Sequence, residues 1–482
     1  MRLFVQFKPV KHLLSLLVSL ILLANTPAAA QQASLAGNVI HLPVVTFMDQ
    51  LFQIELSIVA GSNPVEVLLV HASELTDANT DGASSFDGVT LSIPSIFVDG
   101  VNYWVNFSLL TAEPPTFVLA AAGTAIANPP LQNCTRPEPD LSHGPDETTL
   151  ISGFLVPPSE IFDGGPGPDG IPAIQSPLFT NAFAITDIQP ENLIIGVKIG
   201  DDVRAYPHSI MDYHEIVNDR FSFDGLNRDV SLSYCPLTGS AVLWKSFLSS
   251  ANTSSGVSGL LYNSNLILYD RETQSLWSQM LEQAISGEET RRIPEKLQVV
   301  ETTWKTWLQM YPQTLLMMIE PSEFNFPYEF FPYGLYRSDS SLLFPVNNSD
   351  DDRLHRKERV LGINVGNSSK VYPISRFAAG ISVVNDRIGD MDMDMDVVAA
   401  GSAGQNFAVV YNRQLEDCTT LNFNSVENQL PVVMIDNEGN RWDIFGTALS
   451  GPRAGTQLQK TNSYIAYWLA WTAFFPAADI YQ

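Results

Sequence analysis

Between residues 194 and 476 the sequence repeats itself. Ile194-Ile195-Gly196-Val197 returns as Val360-Leu361-Gly362-Ile363, and Arg204-Ala205-Tyr206-Pro207 as Lys370-Val371-Tyr372-Pro373, both 166 residues later. Ile216-Val217-Asn218-Asp219 matches Val383-Val384-Asn385-Asp386 at 167, and Trp277 matches Trp442 at 165. Trp304-Lys305-Thr306-Trp307, followed by Pro312, returns as Trp468-Leu469-Ala470-Trp471, followed by Pro476, at 164. So regular a repeat predicts two pseudo-equivalent halves, residues 191–320 and 358–482, joined by a connector over 321–357. Runs such as Val230-Ser231-Leu232-Ser233-Tyr234 alternate as strands do, and tryptophans at i and i+3 predict one helix at the end of each half. Because those tryptophans occur in both halves, they are assigned to packing rather than chemistry. The expected fold class is α+β and β-rich.

A shorter duplication precedes this one. Ile40-His41-Leu42-Pro43 returns as Leu91-Ser92-Ile93-Pro94, 51 residues later, and Phe52, Ile54, Leu56 and Ile58 correspond to Tyr103, Val105, Phe107 and Leu109. Each copy reads as a β-meander, so residues 33–124 are expected to form a small all-β module, with Asp99-Gly100 placed for a hairpin turn. Residues 125–190 are rich in Pro, Gly and acidic side chains and read as a linker that wraps the next domain. Their G-x-G-x-x-G, from Gly165 to Gly170, has no preceding strand, and its prolines prevent a helix, so a dinucleotide site is rejected. At the start, Arg2, Lys8 and Lys11 precede an apolar run from Leu13 to Ala24 and then Ala28-Ala29-Ala30, a signal peptide over residues 1–30. Export to a periplasm or beyond is expected, with no membrane span in the mature chain. The 52 acidic against 26 basic residues, a formal charge of -26, exclude nucleic acid as a partner.

Shared residues build the fold, so residues present in one half only are the candidates for a site. Cys235 stands opposite Ser402, and His214-Glu215 opposite Ile381-Ser382. Cys235 ends an alternating run and enters Pro236-Leu237-Thr238-Gly239, where turning backbone amides can lower a thiol pKa. The expected roles are Cys235 as nucleophile or electron-transfer thiol, His214 as base or ion-pair partner, and Glu215 as its orienter. The stretch from Tyr269 to Gln279 is dense in polar groups. It offers Arg271 as a clamp for a carboxylate or phosphate, with Asp270, Trp277 and Gln279 beside it. A turn satisfied by its own backbone is the plainer alternative there. Three cysteines in an exported chain leave at least one unpaired, and a Cys134–Cys418 disulfide would leave Cys235 free.

A further set of motifs runs in order from Asp169-Gly170-Ile171-Pro172 through Arg204-Ala205-Tyr206-Pro207, His214-Glu215-Ile216-Val217-Asn218-Asp219 and Cys235-Pro236-Leu237. It continues through Val257-Ser258-Gly259-Leu260-Leu261-Tyr262-Asn263-Ser264 and Asp270-Arg271 to Ser275-Leu276-Trp277-Ser278-Gln279. With these the chain resembles the prokaryotic domain-of-unknown-function family numbered 3179, over about residues 150–480. The family has no established reaction. Its usual Cys-Pro-x-Cys motif, which carries selenocysteine in some members, implies redox chemistry. Here Thr238 stands where the second cysteine is expected, which leaves a one-thiol mechanism or a distant resolving cysteine.

Three weaker patterns bear on metals. Asp77, Asn79 and Asp81 begin a calcium-loop spacing, but Gly88 stands where its final Glu belongs, and a polar turn is the simpler reading. Met391, Met393 and Met395 alternate with Asp and offer thioethers to cuprous copper, against a plain loop. Cys235, His214 and His208 are zinc or copper ligand types without diagnostic spacing. The sequence therefore favours single-cysteine thiol redox or nucleophilic chemistry acting on an unidentified small molecule or exported protein, with no cofactor assigned. A non-catalytic ligand-binding or structural module with Cys235 packed, or a Cys/His metal site, are the alternatives.

Overall fold

The computed structural model describes residues 33–482 apart from 37, 48–49, 63, 76–83, 87–88, 99–100, 113, 125–149, 183–187, 224–225, 246–253, 321–323 and 390–392. The signal peptide, Asp99-Gly100 and the Asp77–Asp81 loop lie outside the described residues. Strand outweighs helix, 52% to 8%, so the chain is β-rich α+β. It divides into two compact units: one runs to residue 134 and includes 416–421 and 435–457, the other holds 135–415, 422–434 and 458–482.

In the N-terminal module eight strands form one sheet, in the order Ala33–Ala36, Val39–Phe47, Gln50–Ile58, Glu66–Leu75, Pro115–Thr124, Val101–Ala112, Thr90–Val98 and Ser84–Phe86. Ala33–Ala36 also pairs with Thr90–Val98, and Val39–Phe47 with Ser84–Phe86, so the sheet curls onto itself and few edges stay open. Leu42, Leu56, Val67, Leu91, Ile93 and Phe107 fill its interior. The pairing slips between Leu42 and Val45 and again between Ile93 and Ile96. Each slip contains a proline, Pro43 or Pro94, whose missing N–H cannot complete the ladder.

The second unit holds most of both copies of the larger repeat. In the first, Leu193–Ile199 pairs with Asp202–Pro207 so that Ile194 faces Pro207; in the second, Arg359–Val365 pairs with Ser368–Pro373 so that Val360 faces Pro373. Val299–Thr303 flanks the first pair as Asn462–Tyr467 flanks the second. The repeated side chains make the same bonds. Tyr206 Oη donates to Asp219 Oδ2 at 2.5 Å and Tyr372 Oη to Asp386 Oδ2 at 2.7 Å. Arg204 and Lys370 complete the two ion pairs. Asn218 clamps the backbone of Ser255 through its N–H and C=O, and Asn385 clamps Phe423 in the same way. Each half carries a helix near its end, Trp304–Met310 or Trp468–Phe474, and a short strand follows each, Leu315–Met318 or Asp479–Ile480.

These helices explain the repeated glycines. Trp307 lies against Gly196 and Trp471 against Gly362, so close that a Cβ on either glycine would fall inside the indole. The indole N–H groups donate to Thr314 Oγ1 and Ser369 Oγ, each at 3.0 Å. The halves also hold each other. Tyr467 N donates to Thr238 O at 2.7 Å, and Thr303 N donates to Gln405 O at 3.4 Å, so the strand ahead of each tryptophan helix grips a hairpin turn of the other half.

The segment expected to wrap the next domain as a linker adds a strand to each of three sheets: Ile161–Asp163 beside Ser255–Tyr262, Ile174–Gln175 beside Ile216–Phe223, and Leu178–Asn181 beside Leu315–Met318. Its prolines punctuate these short edge strands rather than free the chain. Met395 packs in a core with Val397, Ile388 and Phe377, and Met393 lies partly buried against it, so their thioethers serve packing; Met391 is outside the described residues. Replacing Gly362 with alanine is expected to lower the unfolding free energy by about 2 kcal/mol through overpacking against Trp471. Denaturant titration measures this. Adding Gly362→Ala to a Trp471→Leu background, where the ring is gone, is expected to cost much less.

Candidate active site

The turn after strand Leu226–Cys235 is the centre of the asymmetric region. Pairing with Ser240–Lys245 sets Cys235 opposite Ser240. Gly239 closes the turn at φ +58°, and a Cβ there would meet the Tyr467 ring, so only glycine fits. A buried network holds the turn from behind. Asn265 Nδ2 donates to Thr238 Oγ1 at 2.9 Å and to Gln279 Oε1 at 2.8 Å. Ser240 Oγ donates to Gln279 Oε1 at 2.7 Å, while Gln279 Nε2 donates to Ser233 Oγ and Ser240 O. Every hydrogen-bonding position of Gln279 is thus used within the protein, and it positions the turn instead of meeting a substrate.

Cys235 is the free cysteine among the described residues and is 1% exposed. Ile216, Leu237, Val242 and Trp244 belong to its apolar surroundings, and its thiol donates to Ser264 O at 3.6 Å. Burial, and then the charge of Glu215, push the thiol up to about 11; the Thr238 hydroxyl and the amides of Leu266 and Thr238 pull the other way. Thr238 therefore presents a hydroxyl to the thiol from the position of the family's second cysteine. Cys418 is disulfide-bonded and supplies no free resolving thiol; Cys134 is outside the described residues.

His214 is turned away from the thiol. It is the last residue of the helix His208–His214, and its Nδ1–H donates to Pro172 O at 2.7 Å while Tyr328 Oη–H donates to Nε2 at 2.7 Å. Both nitrogens are occupied, and burial lowers the imidazole pKa, which favours this neutral tautomer. Glu215 caps the same helix in the left-handed region, at φ 57°, which sends its side chain to the other side. It therefore orients no imidazole. Its carboxyl makes no hydrogen bond or ion pair among the described residues, and the residue is 5% exposed. Burial, with Asp212 as a second anion nearby, pushes it up to about 8.

The connector covers this corner. Tyr336 Oη donates to Leu237 O at 3.0 Å, Asn347 N to Asn263 Oδ1, and Ser264 Oγ to Phe344 O. Arg337 pairs with Asp212 and reaches Tyr234 Oη, with its guanidinium over the Phe331 ring. Burial pushes Asp212 up to about 7 despite that contact. Tyr333 is raised by burial and then by the charges of Glu215 and Cys235. Sequence reasoning missed Asp212, Tyr333, Tyr336 and Arg337. The aromatic density of the segment, with Phe324, Phe326, Tyr328, Phe330, Phe331 and Tyr333 in close succession, was the available signal that it packs, although Phe326 and Phe330 stay exposed.

The expected substrate clamp is engaged elsewhere. Arg271 Nη2 donates to Asp169 Oδ1 at 2.8 Å in a bidentate pair, and Tyr269 Oη donates to Asp169 Oδ2. Asp270 Oδ1 accepts the amides of Glu272 and Thr273, and Oδ2 accepts Thr273 Oγ1 and the Trp277 indole N–H at 3.1 Å. Asp436 repeats this: Oδ1 accepts the amides of Glu438 and Asn440, and Oδ2 accepts Asn440 Nδ2 and the Trp442 indole at 2.9 Å. Asp270 and Trp277 are therefore a turn motif that both copies carry. Nor do Cys235, His214 and His208 gather as ligands. His208 faces Glu301 at 3.2 Å and packs on Tyr234, and the described residues contain no cluster of three metal-ligating side chains.

A duplicated β-rich domain with one buried free thiol is the setting in which the family match falls. The chain belongs to the family described as a protein of unknown function (DUF3179), which matches residues 168–478. That span contains nearly all of the duplicated region and the Cys235 turn. No curated protein and no solved structure matches the chain. Among the described residues no helix is long and apolar enough to cross a membrane.

Burying Glu215 makes folding sensitive to pH. Below its ordinary pKa of 4.5 both folded and unfolded chains hold the proton and Glu215 contributes nothing; between 4.5 and about 8 only the folded chain keeps it, so stability falls as pH rises. Glu215→Gln is expected to leave stability near pH 4.5 unchanged and to raise it above pH 8 by on the order of 5 kcal/mol. Denaturant midpoints across this pH range measure the difference.

Proposed function

We propose that the first half performs single-cysteine chemistry in which Glu215, and not His214, accepts the proton of the Cys235 thiol. The observation that carries this reading is the Glu215 carboxyl itself: buried, without a cation or hydrogen-bond partner among the described residues, on a left-handed backbone, and close enough to Cys235 for its charge to raise the thiol pKa. A core built for stability alone has no use for such a group, whereas strained, destabilising acids recur at reaction sites. Once ionised, Glu215 takes the thiol proton as the sulfur bonds to an electrophilic atom. At a carbon centre an S–C bond forms and the bond to the leaving group breaks. With a peroxide an S–O bond forms, the O–O bond breaks, and the departing oxygen takes a proton. The first of two pseudo-equivalent halves holds this site, while Ser402 stands at the corresponding position of the second. Export to an oxidising compartment is supported by the disulfide at Cys418 and by the basic and apolar pattern at the start of the chain.

The second reading, a binding or structural module with an inert thiol, draws support from the 1% exposure of Cys235 and its apolar neighbours. Labelling by a small neutral alkylator separates the two. If Glu215 is the base, the Cys235 rate rises through pH 8 and levels, and Glu215→Gln removes that rise, lowering the rate at pH 9 about 100-fold. A thiol titrating alone keeps gaining rate towards pH 11 and is faster, not slower, in Glu215→Gln. Labelling that follows the unfolding free energy measured for each protein at the same pH, and differs in Glu215→Gln only as far as that stability differs, supports the inert thiol.

A further inference from the structure

The seam between the two halves encloses a cavity of ≈ 200 Å³ that takes no part in the thiol reading. Equivalent strands from both copies line it: Ala241 with its counterpart Ala408, and Lys296 with its counterpart Lys460. The counterpart assignment follows from register, since Lys296 pairs with Trp244 and Lys460 with Tyr411, which are matching positions of the repeat. Leu243, Leu361 and Ile465 give the cavity an apolar wall.

Besides Lys460, three charged side chains reach the cavity, and each is neutralised by direct contact within the protein. Lys296 Nζ contacts Glu282 Oε1 at 2.8 Å and Asn462 Oδ1 at 2.7 Å. Glu295 pairs with Lys245 at 2.7 Å, and Glu301 with Arg359 at 2.9 Å. Lys460 differs. It is exposed as a residue, yet its ammonium has no hydrogen bond or ion pair among the described residues. Partial burial of that ammonium lowers its pKa, and Glu295, already paired, offsets this only through space. In a chain with 52 acidic and 26 basic residues, a cation with no carboxylate in contact beside an apolar cavity is matched to an anion from solution. The volume lies below the roughly 300–1,000 Å³ of drug-sized sites, which limits the ligand to one ring or a short chain.

We infer that this cavity binds a small monocarboxylate with an apolar body, its carboxylate on Lys460 and its hydrocarbon against Leu243, Leu361 and Ile465. The duplication supplies the matched walls, and the missing counterpart of the Lys296–Glu282 pair supplies the specificity.

Calorimetric titration of the full chain with benzoate and with benzamide tests this. Benzoate is expected to bind saturably at one site and benzamide about 10-fold more weakly, because the amide forgoes the charge-assisted contact. In Lys460→Gln, benzoate affinity should fall about 10-fold, to the level of benzamide, with an unchanged melting temperature. Absence of saturable benzoate binding, equal binding of benzamide, or unaltered benzoate affinity in Lys460→Gln would each overturn the inference. None of these outcomes depends on Cys235 or Glu215.

Discussion

The architecture of the large unit hangs on a reciprocal grip. The amide of Tyr467 is bonded to the carbonyl of Thr238, and the amide of Thr303 to the carbonyl of Gln405. In each case the strand just ahead of the tryptophan helix of one half fixes a hairpin turn in the other. Two sheets with buried faces are thereby locked at a set distance, and the space left along the lock becomes the cavity of the seam. The first grip matters twice. The turn it fixes presents Cys235, and the Tyr467 ring fills the room that Gly239 leaves open.

What separates the halves is a small local change with large chemical effect. After the shared Tyr-Pro step, the first copy makes two turns of helix, His208–His214, where the second makes a single 3-10 turn, Ile374–Arg376. The extra turn brings in His208, Asp212 and His214, and its left-handed cap brings in Glu215. These are groups that the interior does not neutralise fully. Asp212 finds Arg337 from the connector, and Glu215 finds no cation at all among the described residues. Burying an acid this way is unfavourable for folding, which is why the neutral form persists to such high pH.

The fold is legible in the sequence because its signals are local and come twice: alternation, the Ile-Gly and Tyr-Pro steps, and the paired tryptophans all sit at nearly constant offsets. The site is legible only in part. His214 and Glu215 are neighbours in sequence, yet one is the last helical residue and the other its left-handed cap, so they diverge. Nothing short of the helix end itself reveals that. Arg271 reads as a free clamp because its partner Asp169 lies about a hundred residues earlier, in a stretch that looks like linker. Asp270 reads as unique because the second copy places Asp436 one residue closer to the shared tryptophan, and the slip hides the match. The connector reads as a plain joint because it belongs to neither copy of the repeat, although it supplies Tyr336, 2% exposed, to the core around Cys235.

The grip of Tyr467 on the Cys235 turn also imposes an order of events. The cover over the thiol depends on a residue about 230 positions further along the chain, so both halves must be synthesised before Cys235 is sealed. Until then a free thiol shares the nascent chain with Cys134 and Cys418, and Cys418 is disulfide-bonded in the folded chain. A chain of this kind benefits from oxidation that waits for folding, and any helper that delays pairing until the last strand docks would protect the yield of native molecules.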